Sequence, residues 1–184
     1  MEATEILIEE HTVIERVLAA MDAAARRLEA RPPIGADWFT GAADFIQGFA
    51  DGCHHRKEEG VLFPAMEAAG VPREGGPIGV MLAEHEQGRR LTRAMRAAAG
   101  QMAAGDLGAR AEVRQNATDY VRLLRQHIQK ENTILFPMAD RVIQGARQEE
   151  VAEAFDRVER EETGAGLHEK YVGLAVSLEE ALQG

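Results

Sequence analysis

Apolar residues in this chain recur at helical spacing, as Val151, Ala154, Phe155 and Val158 do, and the alternation of a half-buried strand is rare. Good helix formers dominate: Ala, Glu, Arg and Leu. A first helix is predicted over about residues 4–30, stopped by Arg31-Pro32-Pro33, because proline cannot continue the hydrogen-bond ladder. A second opens near Asp37, read as its N-cap, and ends at Gly70. Pro77 suits the first position of a third, which runs to Ala104 with Gly105 as its C-cap. A fourth begins between Asp106 and Ala109 and reaches Gly145. Each has about 25 to 36 residues, against a usual mean of about 11 to 12. Long helices with short connections predict an all-α fold, an antiparallel four-helix bundle over residues 1–145. Two shorter amphipathic helices follow in residues 146–184, parted by Gly164-Ala165-Gly166, as an extension that packs on the bundle or on a partner.

Composition narrows the function. The 184 residues, 45% hydrophobic, suffice for a real core, and no apolar run approaches the roughly 18 residues of a membrane span. The start, MEATEILIEEH, is acidic where a signal peptide would be basic. A net charge of −10 argues against nucleic acid, whose phosphates would be repelled. The single cysteine, Cys53, rules out an internal disulfide and points to a reducing, cytoplasmic setting.

The chain also repeats itself. His54-His55-Arg56-Lys57-Glu58-Glu59-Gly60-Val61-Leu62-Phe63-Pro64 lies over His127-Ile128-Gln129-Lys130-Glu131-Asn132-Thr133-Ile134-Leu135-Phe136-Pro137, 73 positions on. Glu10-His11 matches Glu84-His85 at an offset of 74. Helices one and two thus read as an approximate copy of helices three and four, related by a pseudo-twofold axis. His54 and Glu58 share one helix face at i, i+4, as do His127 and Glu131. His11, His54, His85 and His127 are predicted to meet at one height with Glu58 and Glu131. A buried carboxylate costs several kcal/mol unless a cation compensates it, so this convergence points to metal. Six donors exceed one tetrahedral zinc. They suit two first-row ions, each taking two histidines with both glutamates bridging, and the N/O set without thiolate favours iron or manganese.

The ordered pattern H, HxxxE, H, HxxxE resembles the hemerythrin-like (HHE cation-binding) family over about residues 4–143. The resemblance implies a bundle around an oxo- or hydroxo-bridged pair of irons, held by His11, His54, Glu58, His85, His127 and Glu131, with manganese or zinc ranked behind iron. Ferritin-like proteins fit less well, since no E-x-x-H occurs here. Oxygen-carrying hemerythrins have a fifth histidine where this chain has Met81, four residues before His85. A thioether is a poor ligand for hard iron, so Met81 is assigned to packing. The remaining set is similar to repair-of-iron-centres proteins and other bacterial relatives. It implies open coordination positions and binding of, or reaction with, O₂, NO or peroxide in oxidative or nitrosative stress defence or iron-centre repair, fed by an unidentified electron donor. The alternative is an O₂ or iron sensor or store without turnover.

Other residues are read as supporting. His55 and Glu59 form a competing i, i+4 pair, but their repeat mates are Ile128 and Asn132, so they are placed around the ligands or at the surface. Tyr120, two turns before His127, lines the pocket or packs in the core. Glu10 and Glu84 orient imidazoles of neighbouring helices or are solvated. Cys53 is read as small buried packing, and His168 as a polar residue opening the last helix. Pro64 and Pro137 are expected to kink their helices beyond the site. The C-terminal helices offer a surface for a homodimer.

Overall fold

The computed structural model of the protein describes residues 3–30, 34–164 and 166–183. Among the described residues there is no strand. Helix α1 is Ala3–Arg27, followed by a turn in which the Ala30 N–H donates to the Arg27 carbonyl. The predicted stop at Arg31-Pro32-Pro33 lies outside the described residues, as does Ala165 in the later break. Helix α2 covers 36–68 and α3 is Pro77–Ala103; α4 covers 109–142, α5 covers 146–164 and α6 is Leu167–Glu180. Four of them, α1 to α4, form the antiparallel bundle: α3 packs on α2 and α4, and α4 also packs on α1.

One boundary differs in chemistry from expectation. The residue before α2 is Gly35, without a side-chain cap, and Asp37 lies inside the first turn. There its charge still favours the positive end of the helix dipole.

Helices α2 and α4 are not uniform. Stretches of wider π-helix occupy Ile46–His55 and Glu58–Leu62 in α2, and Glu131–Leu135 in α4. The last two coincide under the 73-residue repeat, and each is followed by Phe-Pro. Proline lacks an N–H and crowds the preceding turn. Here the helix does not break: the π turn absorbs the missing donor, and Phe63 and Phe136 continue with right-handed helical dihedrals.

The interior is layered. One apolar cluster holds Ile14, Leu18, Met21, Phe39, Phe45, Met95, Tyr120 and Leu124. A second holds Leu7, Leu62, Phe63, Met81, Leu135 and Phe136. Near the junction of the two clusters each bundle helix carries a histidine: His11, His54, His85 or His127. The C-terminal helices lie on this same bundle, with α6 against α1 and α2. Val151 and Phe155 of α5 join the second cluster, and Ala175 and Leu178 of α6 join the first. The Trp38 indole N–H donates to the Leu178 carbonyl at 3.0 Å.

Candidate metal centre

All six residues singled out by the repeat are buried and meet in the polar layer. Nε2 of His11 stands 3.0 Å from Nε2 of His54, and Nε2 of His85 stands 3.0 Å from Nε2 of His127. The two glutamates lie between these pairs. Glu58 turns Oε1 to His54 (3.7 Å) and Oε2 to His85 (3.4 Å). Glu131 turns Oε2 to His11 (3.2 Å) and Oε1 to His127 (2.9 Å). Each carboxylate therefore shows one oxygen to each histidine pair. None of these four buried oxygens has a partner in hydrogen-bond geometry.

The outward nitrogens are all engaged. Nδ1–H of His54 donates to Glu10 (2.9 Å), that of His127 to Glu84 (2.9 Å), that of His85 to Glu59 (2.7 Å) and that of His11 to the Asn132 side-chain oxygen (2.8 Å). Carboxylates only accept, so the proton sits on Nδ1 and each Nε2 presents a lone pair to the centre. Two lone pairs 3.0 Å apart, beside orphaned carboxylate oxygens, require positive charge between them. The donor set fits two cations, each with two imidazoles and a shared pair of carboxylates. Among the described residues, groupings that could hold an ion include His11, His54 and Glu131, and His55, Glu58, His85 and His127.

Without metal, protons fill this role. Burial opposes a charged imidazole, yet the carboxylates of Glu131, Glu58 and Glu59 raise His85 to about 11. Against burial, Glu131 and Glu84 raise His127 to about 9. Glu131 is held well below the usual carboxylate range, because the charge of His127 and the polar contacts from the surrounding imidazoles outweigh its desolvation. His55 is the exception: burial and the surrounding imidazoles push it well below the ordinary value, so it stays neutral.

The repeat extends outward and then breaks. Lys57 and Lys130 are repeat mates, and each pairs with the glutamate that holds its neighbouring histidine, Glu10 or Glu84. Lys130 is partly exposed. Lys57 is fully buried, because α5 covers it with Glu159, whose carboxylate accepts from the same ammonium. Burial resists ionisation of Glu10, but the His54 hydrogen bond and the charges of His54 and Lys57 lower it to about 2. Cys53 and His168 lie beside this cluster, around a cavity of about 120 Å³. Lys57 already supplies the positive charge there. Burial and the nearby Glu10 push the Cys53 thiol up to about 12, which makes it an inert buried group. The His168 ring lies 5.2 Å from that of Phe49.

The remaining candidates fall as follows. Met81 and Tyr120 pack in the second and first apolar clusters, and Tyr120 lies under Gly88. Phe136 stacks on His11 and Phe63 on His85, again as repeat mates. Glu59 holds His85 as described. His55 is buried against the centre, its ring stacked on His85 at 3.8 Å between centroids. Sequence reasoning missed Asn132, Asp51, Arg89 and Glu159. Asn132 was findable as the mate of Glu59. Asp51 accepts from Nδ1–H of His55 at 2.9 Å, and Arg89 bridges Asp51 and Glu59. These three residues line a surface cleft of about 390 Å³ outside the histidines.

The comparisons bear on the same residues. A family model for the hemerythrin HHE cation binding domain matches residues 2–139. Proteins described as uncharacterized, from Mycobacterium tuberculosis and Mycobacterium bovis, are each 30% identical over 180 residues, covering 98% of this chain and 70% of the relative. No solved structure matches the chain. No described helix is long and apolar enough to cross a membrane. With the match reaching all four histidine-bearing helices, the chain belongs to the hemerythrin HHE cation-binding family.

Proposed function

We propose that this chain carries a pair of iron ions and binds or reacts with a small molecule, O₂, NO or peroxide, in oxidative or nitrosative stress defence or iron-centre repair. The observation that carries the reading is the arrangement of Glu58 and Glu131, each with one oxygen toward each histidine pair and none of the four hydrogen-bonded. His11 and His54 would hold one ion and His85 and His127 the other, with both glutamates bridging. This mixture of imidazole and carboxylate favours iron or manganese over a structural zinc, and the family resemblance ranks iron first. When bound, a diferrous pair supplies electrons to a reducible diatomic or peroxide.

The protein's own part is positioning and exclusion. Glu10, Glu84, Glu59 and Asn132 fix which nitrogen of each imidazole faces the centre and strengthen it as a donor. The apolar clusters on either side keep bulk water out. Ligand entry is assigned to the cleft at Asp51, Glu59 and Arg89, where Asp51 holds His55 and Glu59 holds His85 from outside.

A second reading, an O₂ or iron sensor without turnover, draws on one observation. His54 connects through Glu10 and Lys57 to Glu159 on the C-terminal helices, so a change at the centre has a mechanical route to the surface. Anaerobic absorption spectra of the iron-loaded protein with O₂, NO and peroxide added separately decide between them. Peroxide consumed over many turnovers, with the starting spectrum restored, supports the reactive centre. A reversible O₂ band with no peroxide loss supports the sensor. A protein that takes up no iron contradicts both.

A further inference from the structure

We propose that the groove between α3 and α4, over Glu84 and Lys130, is a docking site for an acidic amphipathic helix of a partner protein, which lays apolar side chains along the groove and gives Lys130 a carboxylate. The inference does not depend on what the metal centre holds.

The carrying observation is that the chain fills the equivalent groove itself. In the first copy of the repeat, α5 lies over α1 and α2. Its Val151 and Phe155 join the second apolar cluster, against which Ile6 and Val61 are also packed. Its Glu159 gives Lys57 a second carboxylate besides Glu10. Under the repeat, Ile6, Glu10, Lys57 and Val61 become Val80, Glu84, Lys130 and Ile134. The chemistry is kept at all four positions, apolar for apolar and charge for charge, yet the second set is left open. Val80 and Ile134 are 49% and 53% exposed, where Ile6 and Val61 are partly buried. The Lys130 side chain is 36% exposed, that of Lys57 not at all, and Lys130 pairs with Glu84.

Position agrees. Val80 lies one turn before Glu84 on α3, and Ile134 one turn after Lys130 on α4. These helices run antiparallel, so both steps lead the same way and the two apolar side chains flank the ion pair on one side. The occupant follows from the first copy. There the covering helix offers apolar anchors at i, i+4 and i+7 (Val151, Phe155, Val158) and a carboxylate at the next position, Glu159. A helix laid over Lys130 would take its ammonium out of water, and a second carboxylate then offsets that loss as Glu159 does for Lys57. A second copy of this chain has no such helix to lend, because its own α5 is seated on its own bundle. Docking would complete the chain carboxylate–Lys130–Glu84–His127, the counterpart of Glu159–Lys57–Glu10–His54. The partner would thereby sit two polar contacts from a histidine of the centre.

The test uses the helix that already fits the first groove. A fluorescent peptide of residues 146–161 is titrated against the full chain and read by anisotropy. Saturable one-to-one binding is expected, abolished by Ile134→Glu. It should weaken at least about ten-fold with Lys130→Gln, or with Glu159→Gln in the peptide. Both positions in the protein are exposed or partly so, and circular dichroism checks that each variant keeps its fold; should Ile134→Glu fail, Lys130→Gln decides. No binding up to about 1 mM peptide would overturn the proposal. So would equal affinity in wild type and both protein variants, since the peptide would then be exchanging with α5 on the first copy. A full chain that sediments as a dimer, and as a monomer with Ile134→Glu, would overturn it too, because a second copy would then cover the groove.

Discussion

Glu58 and Glu131 carry four buried oxygens that no hydrogen bond satisfies, and in a protein interior such groups are costly to keep. Their repeat spacing singled them out, and so did the histidine one turn before each. What the spacing did not show is the orientation of each oxygen toward a different histidine pair. Glu131→Gln would keep the shape but replace one bridging oxygen by an amide. Metal analysis of this variant should give fewer than two ions per chain with the helical circular dichroism unchanged; retention of two would count against bridging. Proton linkage gives a second outcome at this scale. Charged His85 and His127 stabilise the metal-free fold fully below the ordinary imidazole pKa of about 6.5. That stabilisation is lost as pH rises through about 9 for His127 and about 11 for His85. Thermal melts of metal-free protein should therefore fall across this alkaline window. The loss should be smaller with metal bound, when Nε2 carries a metal instead of a proton. Equal slopes with and without metal would contradict the assignment.

Among the elements, the duplication was legible because it preserves chemistry: histidine, lysine, glutamate and Leu-Phe-Pro recur in register. The π turns were not. The two before Pro64 and Pro137 depend on how the backbone reconciles a missing proline N–H with continued packing, and no side-chain periodicity signals that. His55 was read as lying around the ligands or at the surface; its burial against His85 was not legible, since an α-helical wheel places only one of two adjacent residues on the inner face. The asymmetry between Lys57 and Lys130 was also hidden, because Glu159 lies outside the repeat. It makes a sharp prediction. Lys57→Met strands the buried Glu10, and the part-exposed Glu159 beside it, without their ammonium and should cost about 3–5 kcal/mol. Lys130→Met, at a partly exposed pair, should cost about 1 kcal/mol or less. Denaturant titration of the two variants compares them directly, and equal losses would show that the C-terminal helices do not seal the first copy.

At the scale of the molecule, the all-α bundle and its helix count followed from proline and glycine punctuation, since a 25-residue helix leaves few other ways to bury an apolar stripe. Whether the last two helices would seat on the bundle or on another chain was left open by their amphipathic pattern. They seat on it: Phe155 is buried in the second cluster and Trp38 bonds the α6 backbone. Phe155→Ala should cost about 3–5 kcal/mol, read by the urea midpoint, if these helices are integral to the fold. A loss of a few tenths would mean that they are loosely held. The centre thus sits between two apolar layers, with Glu159 of the C-terminal helices over its Glu10–Lys57 flank and a cleft at Asp51, Glu59, Arg89 and Val158 outside His55 and His85.

The central claim, two irons held between the four helices, is tested most directly by metal stoichiometry. Full-length protein, produced in iron-replete medium and purified without oxygen, is measured by mass spectrometry of its metals against its amino-acid content. The account predicts two irons per chain, lowered in Glu131→Gln. One zinc per chain, or no metal in a folded protein, would contradict it.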